Sequence, residues 1–223
     1  MKIAIIGGTG AMGRTLGKQL AKIHEVIIGS RDPVKAKAVA AAIGRARGAG
    51  YSTAARECDA AIIAVPFSAI DSLSSLADEL SGKLVISMIN PMKSENGIAL
   101  YGLQSGSAAE AVAARLPSSR VATAFNNIAV GFLKESEVRE LDVVVAAESR
   151  ETFNETANIV KSIPNLRPLY AGPLSEAHAV ERITPLIINL ARINETGSLA
   201  TRFVSQRKSQ GKRRFRPLKW GRR

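Results

Sequence analysis

The chain has 223 residues, 46% of them apolar, and 31 Lys and Arg against 19 Asp and Glu, a net charge of +12. Apolar content at this level excludes a disordered chain, and roughly 70–75% of the unfolded surface can be buried at this length without a metal or disulfide staple. Nine of the cations and no acid fall in residues 207–223, which leaves +3 for residues 1–206. The surplus therefore does not mark the whole protein as a nucleic-acid binder.

Taken in order, short apolar runs alternate with helix-period segments. Residues 2–6 read as a buried strand, and residues 11–23 as a helix with Leu16, Leu20 and Ile23 on one face. A second strand at 25–29 precedes an alanine-rich helix at 33–43. A third, at 59–65, stops at Pro66 and is followed by a helix at 69–80. Further strands are expected at 84–89, 120–125 and 141–146. Strands that are apolar throughout, alternating with helices, indicate a parallel sheet covered on both faces. Beyond residue 149 the pattern shifts to a helix at 150–163, a short strand at 166–170 and a turn at Gly172-Pro173. Residues 175–204 are helical in character, and Pro185 either starts a new helix there or kinks a long one.

The expected fold is α/β, a Rossmann-like doubly wound parallel sheet with a small, mainly helical C-terminal domain. Residues 1–148 would form the nucleotide-binding domain, 149–206 a small domain closing the cleft, and 207–223 a basic tail. Leu186, Ile187, Leu190 and Ile193 give a wide apolar face that needs a partner, either the sheet or a second subunit, and so suggest a homodimer.

The longest apolar stretches, 59–70 and 183–191, are too short or too interrupted to span a bilayer. The four apolar residues before Gly7-Gly8 are too few for a signal peptide. A single cysteine, Cys58, excludes a disulfide framework and fits a reducing compartment. A cytoplasmic chain with no membrane partner is expected.

Gly8-Thr9-Gly10-Ala11-Met12-Gly13 fits G-x-G-x-x-G between the first strand and the first helix. Gly8 would allow the tight turn, Gly10 the close approach of a pyrophosphate, and Gly13 the packing of helix on strand. The helix N-terminus offers unpaired N–H groups and partial positive charge to the anion. A merely structural turn would need the same glycines, but the placement favours a dinucleotide.

The tip of the second strand reads Gly29-Ser30-Arg31-Asp32-Pro33, where an NAD site usually presents an acid to the ribose hydroxyls. Asp32 is placed instead as an N-cap, with Pro33 at the first helical position. Lys35 then falls in the first turn, where a cation is disfavoured by roughly 0.3–1 kcal/mol unless an anion lies nearby. Ser30, Arg31 and Lys35 together argue for the 2′-phosphate of NADP(H); the alternative is that both cations are solvated surface charges.

Catalytic groups are sparse. None of Tyr51, Tyr101 and Tyr170 has a lysine four residues on, and no cluster has metal-ligand spacing. His24 reads as an exposed loop residue, His178 as a helix-surface residue or a cleft residue, and Cys58 as a small buried one. No catalytic side chain is assigned. A pyridine-nucleotide enzyme of this kind suits hydride transfer to a second redox cofactor.

Gly7-Gly8-Thr9-Gly10, Gly29-Ser30-Arg31, Val65-Pro66-Phe67 and Ala124-Phe125-Asn126-Asn127 together resemble the NADP oxidoreductase family that works with coenzyme F420. Residues 171–175 and 180–189 resemble its archaeal members in particular, and the likeness runs through residues 1–204. The resemblance implies hydride transfer between NADP(H) and the deazaflavin F420, face to face in a cleft between a large and a small domain. It places pyrophosphate on Thr9, Gly10, Ala11 and Met12, the 2′-phosphate on Ser30, Arg31 and Lys35, and a ribose beside Val65, Pro66 and Phe67. It also puts Val130 near the nicotinamide amide, Asn126, Asn127 and Ile128 along the deazaflavin, and Leu199 across the cleft. Some members have His and Pro where this chain has Asn126 and Ala129, and Asn cannot exchange a proton near neutral pH.

The tail interleaves Phe215 and Trp220 with cations. It is read as solvating, as a binder of polyanions or membrane surface, or as a contact for the anionic side chain of F420. Two other functions stand beside the main one. An imine or hydroxyacid reductase using NADP would need a larger helical domain. A non-enzymatic NADP sensor with a polyanion-binding tail would keep the loop and lose turnover.

Overall fold

The computed structural model describes residues 1–134 and 140–205. The basic tail expected at 207–223 lies outside the described residues. Eight strands form the main sheet: β1 (Lys2–Ile6), β2 (Glu25–Ser30), β3 (Ala46–Gly50), β4 (Ala60–Ile63), β5 (Leu84–Ser87), β8 (Arg120–Thr123), β9 (Leu141–Ala147) and β10 (Leu166–Gly172). A separate hairpin pairs β6 (Met92–Glu95) with β7 (Ile98–Tyr101). The helices are α1 (Ala11–Leu20), α2 (Pro33–Ile43), α3 (Tyr51–Glu57), α4 (Ala108–Arg115), α5 (Val130–Lys134), α6 (Arg150–Lys161) and α7 (Ala177–Ile193).

The sheet order is β10-β9-β8-β5-β4-β1-β2-β3. Chain order reverses between β4 and β1, and ligands of open α/β sheets bind at such a switch point, beyond the strands' carboxyl ends. The core follows the strand period of two. Ile3 and Ile5 of β1 pack on the face carrying Leu16, Leu20 and Ala40, whereas Ala4 and Ile6 pack on the face carrying Ala54, Leu73 and Val112.

The expected parallel sheet is mixed. β9 runs antiparallel to β8, and β10 is parallel to β9. Between β8 and β9 the described residues supply only the helix α5, whose five residues rise about 7.5 Å, shorter than the helix that usually carries a parallel crossover. The amino end of β9 therefore lies at the ligand edge. After residue 148 the chain divides: α6 and β10 complete the sheet, while α7 stands at its carboxyl edge.

Two helical expectations change. In place of a helix at 69–80 the chain winds tightly over Phe67–Leu76 with a three-residue repeat. Ser72 Oγ donates to Ala69 O (2.6 Å) and Ser75 Oγ to Ser72 O (2.8 Å), bonds that suit that period. α7 passes through Pro185 without a break but ends at Ile193, so residues 194–204 are not helical. Glu195 takes a left-handed φ of 52°, and the chain runs on as an extended strap to 205.

That strap is tied to β9. Asp142 N donates to Thr201 O (3.1 Å), Phe203 N donates to the Asp142 carboxylate, and Arg167 Nη2 donates to Phe203 O (2.8 Å). Arg167 also forks onto Asp142 at 2.6 and 3.0 Å, and Asp142 is completely buried. Burial pushes the Asp142 carboxyl up, but the Arg167 and Phe203 bonds and the charges of Arg167 and Arg202 outweigh it and hold the group below its ordinary value. A depressed carboxyl contributes stability that is present above its unfolded pKa and lost as pH falls through the folded one. Asp142→Ala should lower stability toward the lower end of the about 3–5 kcal/mol typical of a broken buried pair, because Arg167 can rehydrate. Thermal melts in mildly acidic buffer down to strongly acidic buffer check this, since the variant's deficit should shrink only at the acid end.

Candidate active site

The glycine loop turns at Gly7, whose φ of 90° is left-handed and whose added Cβ would lie 2.7 Å from Ala64 O. Gly8 sits beneath the loop, donating its amide to Ile5 O (3.0 Å), where a Cβ would meet Ile5 O at 2.9 Å. The tight turn expected of Gly8 is thus supplied by Gly7. Gly13 packs on the loop itself, 2.7 Å separating its added Cβ from Gly8 Cα, so helix and strand meet as closely as expected. Gly10 differs: its Cβ would meet nothing nearer than Gly7 O at 3.6 Å. Gly10 caps α1 with no side-chain bond to the first amides, and the first turn holds no acid. Such an end presents uncompensated donors to an anion.

Asp32 caps α2 as expected, accepting from Val34 N (2.9 Å) and Lys35 N (3.2 Å), with Pro33 at the first helical position. Ser30 Oγ in turn accepts from Asp32 N (3.2 Å). Arg31 and Lys35 are exposed and enter no ion pair among the described residues. With Thr9, Gly10, Ser30, Val65 and Pro66 they border a cavity of about 490 Å³. Tyr51, unassigned from sequence, completes its wall from the start of α3. Burial pushes the Tyr51 phenol up against the opposing charge of Arg31.

Ala64, Val65 and Pro66 are shared with a second cleft of about 340 Å³. Met12, Phe67, Ile128 and Val130 line it, with Asn126 at its edge. Met88, Asn90, Met92, Phe125 and Thr184 also line it; Phe125 and Thr184 fall in stretches that carry the family resemblance, but none of the five was given a role in the site from sequence. Among the described residues, no side chain lining this cleft is titratable. Phe125 holds a left-handed φ of 66° with its ring buried, a conformation that costs a residue other than glycine on the order of 1–3 kcal/mol. That bend carries the chain from β8 back over the end of β5.

The two asparagines after β8 are committed to the fold. Asn126 Nδ2 donates to Ile89 O (3.1 Å) and Asn90 Oδ1 (3.3 Å), and its Oδ1 accepts from Thr123 Oγ1 (2.6 Å). Both amide hydrogens are engaged, so a deazaflavin carbonyl would have to displace one of them. Asn127 lies outside the cleft lining; it donates to Asp142 O and to Thr201 Oγ1, both at 2.6 Å, and accepts from Val144 N (3.3 Å). Ala11 is exposed at the first position of α1, outside both linings. Leu199 borders an adjoining groove of about 340 Å³ that meets the cleft at Ala129.

The histidines stand apart. His24, expected to be exposed, is half-buried with Nε2 unpartnered among the described residues, and burial pulls its pKa down. His178 bonds Ser175 O through Nδ1 (2.6 Å) on the surface of α7 and lines neither cavity. Cys58 is buried, which pushes its thiol up. No group of three His, Cys, Asp or Glu side chains could hold a metal among the described residues, and none of the described helices is long and apolar enough to cross a membrane.

A Rossmann-like sheet, this loop and an NADP-type strand tip define an NADP-dependent oxidoreductase. More particularly, the chain belongs to the coenzyme F420-dependent NADP oxidoreductase family. Residues 2–91 match the family described as NADP oxidoreductase coenzyme F420-dependent. The F420-dependent NADP reductase of Methanothermobacter thermautotrophicus is 37% identical over 92% of this chain and 95% of its own length. That of Methanocaldococcus jannaschii is 33% identical over 85% and 92%. A crystal structure of a protein assigned as an F420-dependent NADP reductase from Arthrobacter sp. FB24 superposes with a TM-score of 0.82, covering 92% of this chain and all of that one. At 23% identity it speaks for the fold alone.

Proposed function

We propose that this chain is the oxidoreductase that moves a hydride between NADP(H) and the deazaflavin coenzyme F420. The observation that carries the reading is the cleft itself: mostly apolar walls, no titratable side chain among the described residues, and an opening onto the cavity bordered by Arg31 and Lys35. In this reading Thr9, Gly10 and the first amides of α1 hold the pyrophosphate, while Ser30, Arg31 and Lys35 hold the 2′-phosphate. Val65 and Pro66 lie where the two cavities join and position the ribose. Ile128 and Val130 form the floor under the stacked rings, and Met12 and Phe67 keep water out. Nicotinamide C4 supplies or receives the hydride at C5 of the deazaflavin, and the accompanying proton is left to solvent. The protein contributes orientation and desolvation rather than acid–base chemistry.

Residues 1–148 would carry the nucleotide and 149–206 close the cleft, chiefly through α7 and the strap. Leu186, Leu190 and Ile193 are 57, 44 and 68% exposed along one side of α7, a stripe that nothing among the described residues covers and that supports a homodimer, whereas Ile187 and Ile188 turn to the groove beside Leu199. A lone free cysteine and the absence of long apolar helices among the described residues support a cytoplasmic setting.

The test is direct. Protein mixed with NADPH and oxidised F420 should bleach the deazaflavin's visible absorbance in step with nicotinamide oxidation. NADPH binding without bleaching would overturn the reading.

A further inference from the structure

The β6–β7 hairpin is not part of the main sheet, yet Met92 at its start lines the cleft. All four residues of β6 are exposed, and a two-stranded hairpin with so little burial is marginal alone. Its position is set by α7. The Asn189 carboxamide accepts from Ala99 N (2.8 Å) and donates to Ala99 O (2.8 Å), pairing with β7 as a neighbouring strand residue would. Two turns and more toward the amino end, the fully buried Glu181 carboxylate accepts from Tyr101 Oη (2.8 Å) and from the amides of Ala108 (2.9 Å) and Ala109 (3.0 Å).

The same helix grips the cleft floor. Thr184 Oγ1 donates to Asn126 O (2.6 Å), which also accepts from Asn90 Nδ2 (2.9 Å). Threonine inside a helix ordinarily bonds back to its own preceding turn. Here that hydroxyl reaches across to the turn after β8, so α7 ties the floor at one side to the hairpin at the other. Glu181, Thr184 and Asn189 all fall in the closing stretch that carried the family resemblance, although none was assigned a role from sequence.

We propose that Asn189 is a positioning residue for the deazaflavin side of the cleft: its carboxamide docks the hairpin on α7 and so holds Met92 at the cleft wall, while the adenosine end of NADP(H) binds independently of it. This rests on the F420 reading above. Asn189→Ala removes two ordinary hydrogen bonds and should raise KM for F420 about tenfold, with NADPH affinity unchanged. Asn189→Asp keeps the acceptor for Ala99 N but turns a carboxylate oxygen toward Ala99 O, a repulsive contact, so it should raise KM for F420 at least as far. Amide hydrogen exchange over residues 92–101 should quicken in the same order.

Equal rises in KM for both cofactors would overturn the proposal, as would a lowered melting temperature with both KM values unchanged. Asn189→Asp decides the matter on the same readouts if Asn189→Ala does not fold. Wild-type protein that binds NADPH and leaves F420 oxidised would instead sink the functional reading, and slower or unchanged exchange in the variants would still count against docking by Asn189.

Discussion

Arg31→Ala should weaken NADPH binding at least about tenfold and leave NADH binding nearly unchanged. The size follows from a charge-assisted hydrogen bond, roughly 1.5–3 kcal/mol, where 1.4 kcal/mol is tenfold. The selectivity follows from position. Arg31 follows the carboxyl end of β2 beside Ser30 and borders the cavity with Tyr51, while the cleft proposed for the reacting rings is lined without it. Lys35 stands in the first turn of α2, where the helix dipole opposes a cation; that turn holds no acid of its own, and the Asp32 carboxylate at the N-cap offsets the dipole only by bonding the Val34 and Lys35 amides. A bound dianionic phosphate reverses the sign of that interaction, which explains why two cations can be kept at a helix start. Adding Lys35→Ala should deepen the loss for NADPH alone. Titrating both nucleotides against both variants checks this, and equal losses would remove the 2′-phosphate assignment.

A second contrast separates folding from binding within one loop. Gly10→Val should fold with a melting temperature lowered only slightly, by the poorer N-cap, and bind NADPH on the order of 100-fold less tightly, the scale of shifting a bound group by about 1 Å. Gly10 has an ordinary φ of −73°, and its added Cβ meets only Gly7 O at 3.6 Å, so the fold accepts a side chain there. What that side chain fills is the cavity. Gly13→Ala should do the opposite first. Its Cβ would press on Gly8 Cα at 2.7 Å and Gly8 C at 3.0 Å, backbone atoms that cannot turn aside. Overpacking of this kind costs about 1–3 kcal/mol, so the melting temperature should fall before any nucleotide is added. Thermal melts and NADPH titrations on the pair distinguish a loop that cradles an anion from one that merely turns.

The parts of the fold that announced themselves were those buried on both faces. Ile3 to Ile6, Ala60 to Ile63 and Leu84 to Ile86 cannot be anything but core strands, since both faces of each meet helices. β3 was silent because Ala-Arg-Gly-Ala-Gly has poor strand propensity. It is a strand because α2 lies directly on it, and a Cβ at Gly48 would run into the backbone of Ala36 and Lys37. With β3 went Tyr51, which immediately follows it. The hairpin was missed because its strands bury nothing regular, although Asn96-Gly97, with φ of 49° and 75°, is the dipeptide that two-residue hairpin turns prefer.

The direction of β9 was hidden for a different reason. Both faces of a strand can be covered whichever way it runs, so an apolar run carries no sign of its polarity. Residue types at the site were likewise clearer than their employment. Asn126 borders the cleft and Asn127 does not, and the side chains of both bond partners far away in sequence, Ile89 and Asn90 for the first and Asp142 and Thr201 for the second. A buried amide is satisfied by whatever the tertiary fold delivers, and one sequence does not record that delivery.

With no titratable side chain among the described residues that line it, the cleft offers no acid or base to carry the transferred hydrogen as an exchangeable proton, which leaves passage from carbon to carbon. A deuterium on nicotinamide C4 would then arrive on the deazaflavin ring as deuteride, never having been acidic on the way. Label would therefore cross undiluted even in ordinary water, and the molecule would act as a channel for hydrogen that solvent cannot tag.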